Sequence, residues 1–354
     1  LNTNDTILLV LEVFMQIKNS KELDSFFDRC WKNIQNDSQN SFLGKRITPS
    51  NEQYIKKQLL KNGNAELKNN PGLSLFISSN DWVSSPYHTS IHLDTIQDDH
   101  FSYRTEVIKG NELFNYSSIQ KDPNRELNDY MMLRALDKDV SSIYLLQDEV
   151  DWMLDAPSEA MTNDPVALKA HGNVITFGLG IGYFPFMCMQ NKNVTSITVV
   201  EKSKELVDMF MKFIYPQFPQ NIPFKVISGD AYDYYNEETL NQYDFIYSDI
   251  WRSNDDGLEC ITKLLEQYHN LNKDIHFWIE DSCVEIIWTL IFVYFDEIYH
   301  HRQNTVPEFY DIYMQKIRKY FEQIEKVITD CNDLKNYMYD TNTIREILAI
   351  SLTR

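Results

Sequence analysis

Basic side chains, paired cysteines and long apolar runs are all scarce in this sequence, and each scarcity removes a class of function. Lys and Arg number 33 against 52 Asp and Glu, a formal charge of -19. A field of that sign repels polyanions over a screening length of roughly 10 Å, so nucleic acid is a disfavoured partner. Residues 1–70 hold ten basic and eight acidic side chains, which is no basic patch. The five cysteines, Cys30, Cys188, Cys260, Cys283 and Cys331, include no CxxC pair, and so suggest neither a zinc site nor a disulfide framework. Their scatter fits a reducing cytoplasm. No run approaches the roughly 20 apolar residues of a membrane span. The apolar stretch Ile7 to Met15 has no Lys or Arg before it, so it is not read as a signal peptide, and Asn4, Asp5 and Thr6 ahead of it look like a helix cap. Internal repeats, long heptad runs and low-complexity tracts are absent as well.

What is present is the composition of an ordinary globular protein, 43% hydrophobic and 24% charged, enriched in aromatics by 21 Tyr and 20 Phe. A length of 354 residues suits two structural units, or one core with a large appendage. Leu8, Leu11, Phe14 and Met15, then Phe26, Phe27, Trp31 and Ile34, fall at helical spacing. From Leu73 to Leu146 short strand-like runs take over: Leu73 to Ile77, Tyr103 to Ile108 and Ser141 to Leu146. Residues 1–150 are therefore expected to be a helical region with a small β region. Asp164-Pro165 reads as a helix start and Gly172 as that helix's end. Then five apolar runs alternate with helix-length segments: Val174 to Phe177, Ser196 to Val200, Phe224 to Ile227, Tyr243 to Tyr247 and Ile275 to Ile279. The pattern predicts an α/β, Rossmann-like, doubly wound and mainly parallel sheet over residues 151–300. Val284 to Phe295 reads as a buried helix. Residues 301–354 carry two long helical patterns, Pro307 to Asp330 and Leu334 to Ser351, which pack on the core or on a second copy in a homo-oligomer.

The chemistry concentrates at the strand ends. The first strand runs into Gly178-Leu-Gly180-Ile-Gly182-Tyr183, where the missing Cβ atoms allow a sharp turn and close approach to a ligand. Glu201 ends the second strand, where a carboxylate can meet the two hydroxyls of a ribose, although a solvated glutamate is also common after strands. The third strand ends in Gly229-Asp230-Ala231. Asp230 can accept a hydrogen bond from an adenine amine or simply cap the next helix. The fourth leads to Asp249 and Trp251, beside the point where strand order reverses.

In this order these motifs resemble those of the class I S-adenosylmethionine-dependent methyltransferases, over about 110 of the 354 residues. The resemblance implies a methionine moiety over Gly178, Gly180 and Gly182, ribose on Glu201, adenine near Asp230 and Ala231, and Asp249 close to the sulfonium. Thr176 stands where that family usually has an acid two positions before the first glycine. Spermidine synthases share the fold, and Ser141 to Met161 is distantly similar to the segment that precedes their core. Their acid in the glycine loop is Ile181 here, however, and the acid expected after the fourth strand is Arg252.

Trp251 and Tyr183 are candidates to face the sulfonium, or are core residues. Glu280 and Asp281 at the end of the fifth strand are candidates for a base, or cap the helix from Ser282. His88, His92 and the acids Asp94 to Asp99 lack a third metal ligand at a defined spacing and read as a solvated polar loop, as does His300-His301. The function expected is methyl transfer to a small-molecule or protein acceptor, with Asp249 and Glu280 as candidate catalytic residues and no metal. Aminopropyl transfer and a non-catalytic binding or regulatory role are the alternatives.

Overall fold

The protein is described here from a computed structural model covering residues 15–34, 40–121, 126–127 and 130–352. Residues 1–14, with the expected cap at Asn4 to Thr6 and the apolar positions Leu8, Leu11 and Phe14, lie outside the described residues. Met15 is buried just before a two-residue strand, Gln16–Ile17, rather than in a helix.

Five parallel strands form the central sheet: β1 (Gly172–Phe177), β2 (Val194–Glu201), β3 (Phe224–Ser228), β4 (Phe245–Ser248) and β5 (Asp274–Phe277). Their spatial order is β3-β2-β1-β4-β5. The fold is thus α/β and Rossmann-like, as the alternation of apolar runs and helices predicts. Val174, Ile175, Phe177, Phe245, Ile246 and Tyr247 are fully buried, the mark of strands covered on both faces. Because the chain winds outward from β1 to β3 and returns to place β4 beside β1, the strand order reverses between those two. Helices on either face then diverge and leave a crevice at the carboxyl ends.

The helix before the sheet, α1 (Pro157–Lys169), begins earlier than the Asp164-Pro165 pair suggests, with Pro157 in its first turn and Pro165 inside it. A proline there forfeits a single backbone bond. Ala160, Asn163 and Ala167 on its buried face hold the helix on the sheet, where Asn163 Oδ1 accepts the Tyr247 hydroxyl at 2.8 Å. Gly172 does not end the helix. Asn191 Nδ2 donates to the carbonyls of Ala167, Leu168 and Ala170 and satisfies that terminus, and Gly172 opens β1.

After β1 comes α2 (Tyr183–Gln190), after β4 comes α3 (Asn254–Gln267), and after β5 comes α4 (Glu280–His300). Helix α4 buries Val284, Ile287, Trp288, Ile291 and Phe295, as its apolar sequence predicts. No helix among the described residues is long and apolar enough to cross a membrane. Helix Lys21–Ile34 packs on α4 through Phe26 and Phe27 and through Trp31, whose indole donates to Asp296, whereas Ile34 is exposed.

The two long C-terminal patterns are each interrupted. Helices Asp311–Phe321, Cys331–Tyr339 and Thr341–Ala349 replace them, with Val327–Ile328 pairing in parallel with Gln16–Ile17. Asp340 breaks the second pattern by accepting the Thr343 N–H of the helix that follows at 2.7 Å, whereas the first stops at Phe321, and Asp330 caps the start of the next helix through the Asn332 N–H at 2.6 Å. Such local capping competes with helix continuation. Lys316, fully buried, ties this region to α3 through Glu266 and the carbonyls of Leu348 and Ile350.

Ahead of the core, Phe101–Ile108, Val140–Gln147 and Val150–Leu154 form an antiparallel sheet. Phe76–Ile77, Leu133–Leu136 and Phe114–Asn115 form another small one, over an apolar cluster of its own that includes Phe42, Ile47 and Leu59.

Candidate functional site

The crevice at the β1/β4 reversal holds a cavity of about 510 Å³, within the range of small-molecule sites. Its floor is the glycine loop. Gly178 has φ +93° and its Cα faces the Asp249 carbonyl so closely that a Cβ would lie 2.0 Å from the oxygen. Gly182, at φ +76°, leaves no room for a side chain beside the Phe210 ring, 2.5 Å from the ideal Cβ. Gly180 faces Met153 of the strand Val150–Leu154 and lines the cavity. The buried Tyr87 hydroxyl donates to the Ile181 carbonyl at 2.8 Å, so the N-terminal region also holds the loop.

Glu201, at the end of β2, lines the cavity. Its two oxygens accept the backbone N–H groups of Leu179 (3.0 Å) and Ser203 (2.8 Å), clamping the loop to the strand end. Each carboxylate oxygen keeps a further lone pair for a ligand hydroxyl. Asp230 caps the short helix Ala231–Tyr234 through Tyr232 N at 3.1 Å, and Lys202 Nζ sits 2.7 Å from its other oxygen, drawing the Asp230 carboxyl below the usual range. Both Asp230 and the buried Ala231 border the cavity, so capping and lining coexist.

Asp249 follows β4 directly and its N–H is donated to the Phe177 carbonyl at 2.9 Å. Asp249 lines the cavity, together with the buried Trp251. Tyr183, the first residue of α2, lines it too and donates to Asp164 at 2.9 Å.

Two further acids line the cavity, Asp155 just before α1 and Glu159 in its first turn, and residue spacing does not reveal them. Asp155 is buried and hydrogen-bonded to His88 Nε2 at 2.9 Å. Glu159 has no hydrogen-bonding partner for its carboxylate among the described residues, nor has Asp249. Burial, and then the charge of Asp155, push Glu159 up to about 7. Burial, and then Glu159, raise Asp249 well above an ordinary aspartate. The cavity therefore holds poorly solvated acids that favour their neutral form.

The sign of the pH effect follows. Between about pH 4.5 and 7 native Glu159 holds a proton that the unfolded chain has released, so this group lowers stability as pH rises through that window. Glu159→Gln should flatten that part of the stability curve relative to the parent in denaturant melts. Parallel curves for the two proteins would show that Glu159 is not the group responsible.

Two expectations need correction. Glu280 does not reach the cavity: Ile279 turns the chain in the left-handed region at φ +43°, and Arg345 binds both Glu280 oxygens at 2.7 and 2.6 Å. Trp278 is the residue from this strand end that lines the cavity. His88 is not in a solvated loop but packs against Trp82 and pairs with Asp155, with Ser85 Oγ 2.6 Å from its Nδ1. No group of three or more metal-ligating side chains occurs among the described residues.

No family model and no curated protein matches this sequence. Among solved structures, one described as a methyltransferase of Porphyromonas gingivalis W83 is similar at 18% identity and TM-score 0.25, over 30% of this chain and 29% of its own. Human methyltransferase-like protein 13, in complex with SAH, is similar at 24% identity and TM-score 0.19, over 27% of this chain and 45% of its own. Shikimate dehydrogenase of Mycobacterium tuberculosis is similar at 13% identity and TM-score 0.21, over 44% and 45%. This chain thus spans less than half the length of each. Overlaps this partial identify no family.

Proposed function

We propose that the protein binds S-adenosylmethionine in this cavity and transfers its methyl group to a small-molecule or protein acceptor. One observation carries the reading: the cavity that gathers Gly178, Gly180, Glu201 and Asp230 at three successive strand ends also contains the partnerless carboxylates Glu159 and Asp249. Acids so placed suit an adenosyl compound with a sulfonium and an ammonium. A cation there lets these acids ionise, whereas the pyrophosphate of a dinucleotide, the other ligand such a crevice can take, offers them no counter-charge.

The residues fit the parts of that cofactor. Asp230 and Ala231 would hold the adenine, Glu201 the ribose hydroxyls, and the Gly178 to Gly182 loop the methionine moiety, with Asp249, Trp251 and Tyr183 near the sulfonium. When bound, the cofactor supplies an electrophilic methyl group on sulfur. Methyl transfer is an in-line displacement, and orientation alone can contribute about 7 to 11 kcal/mol at best. The chain's task is then to fix the donor, exclude water and present the acceptor.

Charge provides the test. Asp249→Asn should weaken S-adenosylmethionine about tenfold, roughly 1.4 kcal/mol, while the uncharged thioether S-adenosylhomocysteine loses less than threefold. Equal losses for the two ligands would remove Asp249 from the neighbourhood of the sulfonium. Glu201→Ala removes contacts worth about 1.5 to 3 kcal/mol to ligand hydroxyls and should weaken both ligands tenfold or more. Unchanged affinity in that variant would refute the ribose placement.

A further inference from the structure

A second cavity, of about 630 Å³, shares Glu159, Arg252 and Trp278 with the first. Its far wall comes from the N-terminal region, through Asn115, Ser117, Ser118 and Ile119, and its near wall from Ser158 on α1 and Ser282 on α4. Ser282 Oγ accepts the Ile119 N–H at 2.7 Å and fixes the two walls together. Asn115 Oδ1 is buried there without a hydrogen-bond partner. A buried acceptor in that state is costly unless a ligand or water supplies a donor.

The charges at the junction are of both signs. Glu159 has no partner for its carboxylate, and the Arg252 guanidinium has neither ion pair nor hydrogen bond among the described residues. The remaining charged side chain of this cavity, Glu285, already has an interaction of its own. A guanidinium presents a planar fork suited to a carboxylate, and a lone carboxylate is suited to an ammonium.

We infer that the second cavity is the acceptor pocket and that its acceptor is a small aminocarboxylate, its acid on Arg252 and its amine at Glu159. The inference rests on the methyltransferase reading and gives the N-terminal region a task, that of forming the acceptor wall. The acceptor ammonium gives a proton to the Glu159 carboxylate. The freed nitrogen lone pair forms the new N–C bond as the C–S bond breaks, and the C–S electron pair stays on sulfur. A neutral thioether and a methylammonium result. A group titrating near neutrality can both take and release that proton at working pH.

The test begins by titrating the full chain with S-adenosylhomocysteine, which probes the cofactor reading alone. The loaded protein is then titrated with unbranched ω-aminocarboxylates from glycine to 6-aminohexanoate, and with n-alkylamines and alkanoates of matching length. At least one aminocarboxylate should bind tenfold or more tightly than its amine and its acid counterparts. Arg252→Ala should reduce that preference below threefold, and Ser118→Trp should abolish aminocarboxylate binding, both variants being checked for native circular dichroism. Alkylamines that bind as well as aminocarboxylates, or normal S-adenosylhomocysteine binding with no aminocarboxylate bound, would overturn the inference and leave the methyltransferase reading standing. Failure to bind S-adenosylhomocysteine would bring down both.

Discussion

A Gly178→Ala chain is expected to lose about 2–6 kcal/mol of unfolding free energy, from strain of about 1–3 kcal/mol for a side chain at positive φ and a similar cost for overpacking. The backbone sits at φ +93°, and the added Cβ would lie 2.0 Å from the Asp249 carbonyl oxygen. Relief requires that β1 and β4 part at their carboxyl ends, where Asp249 N bonds to Phe177 O. The damage therefore falls on the cavity as well as on the fold, and adenosyl ligands should no longer bind measurably. Urea denaturation gives the stability and calorimetry the binding. A variant within 1 kcal/mol of the parent that still binds would mean that the loop is not held as described.

Arg345→Ala is the second large effect. The guanidinium, 15% exposed, joins Glu280, 14% exposed, by two hydrogen bonds and also donates to the Ile275 carbonyl at 3.0 Å. Removing one partner of a buried pair leaves the other charge uncompensated, and a pair this well shielded should cost about 3 kcal/mol. Replacing both by leucine should restore much of that loss, because the desolvation penalty goes with the charges. A double variant as unstable as the single one would argue that packing of the arginine stem, rather than its charge, holds α4 to the last helix. Either result concerns stability, since Glu280 lies outside the cavity.

The sheet was legible because each strand is a short apolar run with its turn chemistry at the carboxyl end. Gly178, Gly180, Glu201, Asp230 and Asp249 are fixed by their place relative to those runs, and all of them line one cavity, whereas Gly182 packs against Phe210 and Phe218 and does not line it. Glu159 and Asp249 are ninety residues apart, so no spacing rule links them. The one signal that could have found Asp155 and Glu159 was the distant similarity of Ser141 to Met161 to the spermidine synthase lead-in. The C-terminal helices were misjudged for a different reason. Periodicity runs through Asp340 unbroken, but its side-chain bond to the Thr343 N–H stops the helix there, and the first pattern is cut at Phe321, ahead of the strand Val327–Ile328. Glu280 followed a strand and so took on a strand-end role, which the left-handed turn at Ile279 cancels.

The most direct test is parallel calorimetric titration of the full chain with S-adenosylmethionine, S-adenosylhomocysteine and decarboxylated S-adenosylmethionine. Saturable binding of the first two at one site per chain, tighter than the third, is the expected result. Preference for the decarboxylated ligand would contradict methyl transfer in favour of aminopropyl transfer, and no binding of any of the three would leave the fold with a different purpose.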